Sequence, residues 1–268
     1  MEARITIALI HNFEMERLAY LRPILDLISK NFEAKFIEVH EQRMPVKNDI
    51  QFKIRKIRNL LIECRWSYAN SSTRGLRLGL RLARGIISAV LTKLSLGNKI
   101  KFCIEDMVSR KHLKILEKFV ESDSEFLVVF ESDTVVSNLE SLHKTLSYIF
   151  SSAEQIDFFM ISWPYSIEDL LLTEKYTQIE RAPGIHSIDL FTTNTLSAYA
   201  ISQNLASEIL ARFNSSMRDL APPIDWAFNQ VFFELNRSNL LPPRTLFANP
   251  ESATNGSLAR IYPSGINW

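Results

Sequence analysis

The sequence predicts an α/β fold built as a single domain, and three observations carry that expectation. The chain opens β-α-β: an apolar run of strand length over residues 5–10, a helical pattern, and a second strand over 34–39. Residues 126–130 are five apolar side chains with no polar interruption, as in a strand covered on both faces. The chain has 268 residues, is 46% hydrophobic and contains no repeat, low-complexity tract or linker, which suits one large core.

Each element has its own signal. After the first strand come polar His11 and Asn12, then Leu18, Leu21, Ile24, Leu25, Leu27 and Ile28 at helical spacing. From Asn48 the pattern is helical and basic, with Ile50, Ile54, Ile57, Leu60 and Leu61 on one side and Lys53, Arg55, Lys56 and Arg58 around the other. Residues 68–73 break it. A second basic segment follows, in which Arg74, Arg77, Arg81 and Arg84 form a helical stripe beside leucines, although Gly75, Gly79 and Gly85 weaken the helix. Residues 106–120 make another helix, with Leu113, Leu116 and Val120 on one face. Beyond the 126–130 strand, Ser137-Asn138-Leu139-Glu140 fits a capping box that opens a helix through Phe150. Strands are expected over 156–162 and 196–201, a helix over 203–213, a helix starting near Asp225 behind Pro222-Pro223, and a strand over 244–247.

Net charge is +1, so the total implies neither nucleic acid nor an acidic polymer as partner. The distribution is uneven: residues 51–101 hold twelve Lys or Arg against one acidic residue, Glu63, which leaves the rest of the chain at −10. The arginine stripe either lies in an anionic lipid headgroup layer with its leucines in the acyl boundary, or is a solvated basic face over core leucines. Cys64 and Cys103 have no metal-type spacing and point to a reduced, cytoplasmic setting, in which the sequons at Asn70, Asn214, Asn236 and Asn255 go unused. The start, MEARITIALI, has a strand's pattern rather than a signal peptide's, and no segment reaches the ~18 uncharged apolar residues that span a bilayer.

The tripeptide Glu-Ser-Asp occurs twice, ten residues apart. Glu121-Ser122-Asp123 sits at a helix end before the buried strand and is expected to be a solvated turn. Glu131-Ser132-Asp133 follows the strand, where ligands of open α/β sheets gather. Two carboxylates one residue apart can face a hard divalent cation such as Mg²⁺ or Mn²⁺, which keeps water and phosphate oxygens as its other ligands. Otherwise they belong to a polar turn.

The block SRKHLKILEKFVESDSEFLVVFESDTVV, residues 109–136, resembles a segment of the family 25 glycosyltransferases, the lipooligosaccharide-type galactosyl- and glucosyltransferases. There a Ser-His helix leads into a buried strand that ends in a metal-binding acidic motif. TLSAYAISQNLASEIL, residues 195–210, is similar to that family's strand-then-helix, and PPIDWAFN, residues 222–229, falls where the family carries a Pro-hydrophobic-Asp. Arg17 matches an arginine after the first strand. Residues 48–100 have no counterpart, the acidic motif is Glu-Ser-Asp rather than consecutive or DXD acids, and His112 stands two positions further from Ser109 than the pattern asks.

The resemblance implies one GT-A-like domain over residues 1–268, a Rossmann-like mixed sheet flanked by helices, with residues 48–100 as a basic helical insertion. It implies an inverting, metal-dependent transfer of a hexose from a nucleotide sugar, a UDP-hexose, to a hydroxyl of a surface glycan or lipid-linked saccharide. Glu131 and Asp133 would hold Mn²⁺ or Mg²⁺, and Asp225 would be the base, unless it is a plain helix N-cap. Ile10, His11, Arg17, Ser109, Ser132, Asn255, Gly256 and Ser257 would contact the donor; for His11 the alternative is a polar loop residue. The stretch from Asn249 to Ser257 is expected to be a turn-rich loop over the diphosphate, and since no histidine follows His186 it implies either a weaker metal site or an oxygen ligand such as Asn255. His186 in a Pro-Gly loop and His112 on a helix offer no ligand spacing, and Trp163 and Trp226 either stack on sugars or pack. The enzyme would be cytoplasmic and peripheral at the inner membrane face. The alternative is a non-catalytic membrane-surface or glycan-binding module on the same fold. A nucleotidyltransferase would need a Gly-rich basic loop after the first strand, and HNFEMER is not one.

Overall fold

The structure, a computed structural model, describes residues 4–11, 15–40, 49–70, 75–91, 96–132, 134–136, 138–151, 156–161, 178–182, 185–188, 196–213, 223–237, 245–248 and 254–257, some of them by backbone alone. The helices are α1 (Met15–Asn31), α2 (Asp49–Asn70), α3 (Gly75–Leu91), α4 (Leu96–Val120), α5 (Leu139–Ser151), α6 (Gln203–Arg212) and α7 (Ile224–Arg237). The strands are β1 (Ile5–His11), β2 (Ala34–His40), β3 (Phe126–Glu131), β4 (Thr134–Val136), β5 (Phe158–Met160), β6 (Gln178–Ala182), β7 (Ile185–Ile188), β8 (Ala198–Ser202), β9 (Thr245–Ala248) and β10 (Thr254–Ser257).

Strand pairing gives an eight-stranded mixed sheet in the order β2-β1-β3-β8-β5-β9-β7-β6 and a separate β10-β4 pair. β1 runs parallel to β2 and β3, while β8 lies antiparallel between β3 and β5. The period-2 alternation of a strand sends successive side chains to opposite faces, and it sorts the core into two layers. Ile5, Ile7 and Leu9 of β1, Val128 and Phe130 of β3 and Ala198 and Ala200 of β8 pack with Leu21, Ile24 and Ile28 of α1 and Leu142, Leu146 and Ile149 of α5. Ala8, Ile10, Leu127, Val129, Tyr199 and Ile201 face the other way, onto Leu113, Leu116 and Phe119 of α4, Leu205 and Ile209 of α6, and Phe228, Val231 and Phe232 of α7. The 126–130 run is apolar throughout because helices cover both of its faces. Glu131, next in the alternation, turns toward α4.

Several expectations are corrected. The helix expected over 106–120 begins at Leu96, because Phe102 and Cys103 extend its contacts onto Phe52 of α2. The cap of α5 is Asn138, whose Oδ1 accepts from the Ser141 N–H at 3.0 Å; Ser137 lies outside the described residues. His186 is not in a loop: β6 and β7 form an antiparallel pair, and β7 continues the sheet on β9. Of the polar stretch expected as a loop near the C-terminus, Thr254–Ser257 is a strand antiparallel to β4. The strand expected over 244–247 is found one residue later, at Thr245–Ala248.

The basic insertion is an α2–α3 helical pair. The Lys53 Nζ donates to the Val90 carbonyl at 2.6 Å, and Gly85 lets the Leu60 side chain occupy the space a Cβ would take, so the two helices run antiparallel. The faces of α2 differ from the expected ones. Phe52 and Arg55 are buried against α4, whereas Ile50, Ile54 and Leu61 are exposed. Arg55 turns inward because its guanidinium reaches Asp106 Oδ1 (3.3 Å), Glu105 Oε2 (3.4 Å) and the Phe102 carbonyl (2.9 Å), with the Phe102 ring 5.5 Å away. Among the described residues no helix is long and apolar enough to cross a membrane.

Candidate functional site

The two Glu-Ser-Asp copies lie at opposite ends of β3. Asp123 pairs with Arg4 at 3.4 Å and with Lys35, at the starts of β1 and β2. Its carboxyl is held below the usual carboxylate range, first by the Lys35 hydrogen bond, and the turn is solvated as expected. The second copy stands where β1 and β3 end together, with Glu131 opposite Ile10. There the Ser132 N–H donates to the Ile10 carbonyl and the Glu131 N–H to the Ser197 carbonyl, both at 2.8 Å. The Thr134 hydroxyl donates to the Ser197 carbonyl at 2.6 Å. These bonds fix the backbone around the acidic motif; Asp133 itself lies outside the described residues.

His112, which offers no ligand spacing in the sequence, instead joins a buried hydrogen-bonded chain. His112 is fully buried on the α4 face, with Nδ1 2.9 Å from the Tyr199 hydroxyl and Nε2 2.9 Å from Glu131 Oε1. Its ring stacks on Tyr199 with centroids 5.6 Å apart. Burial, and then the charge on Glu131, hold the Tyr199 phenol well above its ordinary pKa, so it keeps its proton. The imidazole thus bridges a protonated phenol at Nδ1 and the Glu131 carboxylate at Nε2. The chain is buried at Tyr199 and opens at Glu131, whose side chain is 22% exposed.

Glu131 reaches a cavity of about 450 Å³ that is also lined by Asn59 of α2, Phe102 and Glu105 of α4, and Asp225 and Trp226 of α7. Two carboxylates proposed from distant parts of the sequence thus share one space. Asp225 is not the cap: α7 begins at Ile224, with the Ala227 N–H donating to the Pro223 carbonyl at 2.9 Å. Asp225 stands in the first turn and its Oδ1 accepts from the Trp226 N–H at 2.9 Å. A carboxylate there sits in the favourable field of the helix N-terminus. Among the described residues the buried Asn59 Oδ1 meets no hydrogen-bond partner.

The other expected site residues are placed unevenly. Ile10 is a core side chain at the end of β1 and offers this edge only its backbone. His11 is a buried strand residue rather than a loop residue, with Nε2 3.7 Å from Glu38 Oε2. Its carbonyl accepts from the buried Lys111 Nζ at 3.3 Å, a cation that sequence reasoning passed over. Ser109 is buried and donates its hydroxyl to the Glu105 carbonyl at 2.7 Å, so it serves α4 rather than the cavity wall. Ser132 is buried at the turn. Arg17 lies in the first turn of α1, its side chain outside the described set, and Trp163 is outside it entirely. Pairing of Thr254 with Val136 and of Ser257 with Thr134 carries Asn255 and Gly256 alongside the segment that follows the acidic motif.

Among the described residues no group of three or more His, Cys, Asp or Glu side chains is placed to hold a metal ion. Of the expected pair of metal ligands only Glu131 is described, and its Oε1 lies against His112 Nε2.

No protein-family model and no curated protein sequence matches this chain. Among solved structures it has a likeness to the crystal structure of a glycosyltransferase involved in the glycosylation of the major capsid of PBCV-1, with 14% identity and a TM-score of 0.38, over 98% of this chain and 89% of that one. A likeness of that size establishes neither fold nor activity.

Proposed function

We propose that the protein is a glycosyltransferase of the GT-A type, moving a hexose from a nucleotide sugar, a UDP-hexose, to a hydroxyl of a saccharide acceptor. The observation that carries this reading is the shared cavity of Glu131 and Asp225 at the edge where β1 and β3 end. The mixed sheet, with antiparallel β8 inserted among parallel strands, agrees with it. The acceptor enters between Asp225 and Trp226. Asp225 takes the proton of the acceptor hydroxyl as its oxygen bonds to the anomeric carbon, the bond from that carbon to the diphosphate breaks, and the nucleoside diphosphate leaves with the bonding pair. The face of the sugar opposite the leaving group is attacked, so the anomeric centre inverts. Glu131 and Asp133 would hold Mg²⁺ or Mn²⁺, which would neutralise the charge that develops on the diphosphate. His112 and Tyr199 hold Glu131 in one orientation, and Asn255, Gly256 and Ser257 on β10 supply backbone donors to the diphosphate. His11, Arg17 and Ser132 serve the nucleotide side.

The test is sugar transfer and sugar-nucleotide hydrolysis across a donor screen with Mn²⁺ or Mg²⁺. Asp225→Asn keeps the oxygen that accepts from the Trp226 N–H and should lower transfer by about 10²–10⁴-fold, with thermal stability nearly unchanged. Glu131→Gln keeps an acceptor for His112 and should abolish metal-dependent protection by UDP against unfolding. Full transfer by Asp225→Asn, or unchanged protection in Glu131→Gln, removes these residues from the proposed roles.

A further inference from the structure

The α2–α3 pair carries an apolar face that the described residues leave open. Ile50, Ile54 and Leu61 of α2 and Ile87, Val90 and Leu91 of α3 are exposed, Ile50 to 68% and Leu91 to 77%. At about 100° per residue, Ile50, Ile54 and Leu61 fall within about 40° of one another, on the side of α2 opposite Phe52 and Arg55. The antiparallel register set by Lys53 with Val90 and by Leu60 with Gly85 brings Val90 onto that same side. From there the apolar arc continues around α3 through Ile87 to Leu91 and Leu80. Arg58 borders the face on α2 and Arg84 on α3, and α3 contains no acidic residue. The face is thus a continuous apolar surface edged by cations and turned away from α4.

We propose that this face docks the protein on an anionic lipid bilayer, with the Ile and Leu side chains in the acyl boundary and the bordering arginines at the lipid phosphates. The charge pattern favours a bilayer over a second copy of the chain. Two-fold pairing of such faces would set arginine borders of both copies against one another, and α3 offers no carboxylate to answer them. An anionic headgroup layer matches the charge of the arginine borders while its acyl region receives the apolar strip. The inference is independent of the chemistry assigned to the cavity.

Vesicle flotation of the full chain tests it, using phosphatidylcholine vesicles with and without about one third phosphatidylglycerol. Binding should be strong only with phosphatidylglycerol and weaken as salt is raised. The pair Ile87→Glu and Leu91→Glu, at exposed positions, should reduce it at least tenfold. The pair Arg58→Gln and Arg84→Gln should lose about fivefold per charge on anionic vesicles and keep the residual binding to neutral ones. Circular dichroism should show all variants folded. Equal partition onto both vesicle types, or binding untouched by either pair, overturns the proposal. So does a dimer in solution that Ile87→Glu and Leu91→Glu dissociate, which would make the face a contact between copies.

Discussion

Tyr199 shows how one side chain ties the core to the site. Its ring lies among Phe158 and Phe228, with centroids 5.7 and 5.6 Å away, and its hydroxyl has His112 as partner. Because the phenol's pKa is raised in the folded chain, the unfolded chain loses this proton first as pH climbs through about 10. The stability that comes from burying the neutral phenol is therefore fully present below pH 10 and lost progressively above it. Tyr199→Phe should cost about 1–3 kcal/mol near pH 8, because it removes the hydroxyl that partners the buried His112 Nδ1. It should also flatten the decline between pH 10 and 11, as read from urea unfolding at stepped pH. A variant with the same alkaline slope as the parent would show the phenol ionising freely. The same trio explains what local reading missed. His112 is 19 residues from Glu131 and 87 from Tyr199, and a histidine on an amphipathic helix looks alike whether it packs or bridges. The alternation along β3, which sends Leu127 and Val129 to the α4 face, was the available signal that Glu131 would meet α4.

At the level of elements, α2 is governed by one buried cation. Arg55 is 1% exposed, and burial lowers its pKa against the opposing pull of Asp106 and Glu105. Removing one partner of a buried pair leaves the other charge uncompensated, which typically costs 3–5 kcal/mol, whereas replacing both by apolar groups is often neutral. Arg110 also reaches Asp106, at 3.1 Å. Arg55→Met should accordingly cost about 3 kcal/mol, the low end of that range, in the urea midpoint. Adding Asp106→Leu should recover most of it; a double variant as weak as the single one would mean that Arg55 acts through packing alone. Where an element's own side chains decide its place, the sequence is legible: the β-α-β opening, the covered strand β3 and helix α6 stand where their apolar patterns put them. In sequence α2 has an apolar side and a basic side, and the acids that draw Arg55 inward lie on another helix. β10 reads Thr-Asn-Gly-Ser, which has no strand signal of its own, and takes its conformation from pairing with β4. Asp225 was found as an acid at a helix start, but its meeting with Glu131 depends on how α7 and β3 are brought together.

Across the whole molecule, the sheet and the basic helices differ in how they are held. β1, β3 and β8 are flanked on one face by α1 and α5 and on the other by α4, α6 and α7. α3 rests on α2, and among the described residues no other element packs on it to a comparable extent. Elements with few buried contacts open at free energies below that of global unfolding. Native-state amide exchange should therefore show α3 exchanging by local opening, its rates insensitive to low urea, while β3 exchanges only with global unfolding. Gly79 provides a lever, since a Cβ there would meet no atom within 4 Å. Gly79→Ala removes a cost of about 0.5–1 kcal/mol in a helix interior, and should slow α3 amides about two- to fivefold while leaving β3 unchanged. Anionic vesicles should slow the same amides in the parent, because a bilayer contact adds the covering that α3 lacks. If α3 amides are instead protected as long as those of β3, the pair unfolds with the sheet, and local opening has no part in how this surface meets its partner.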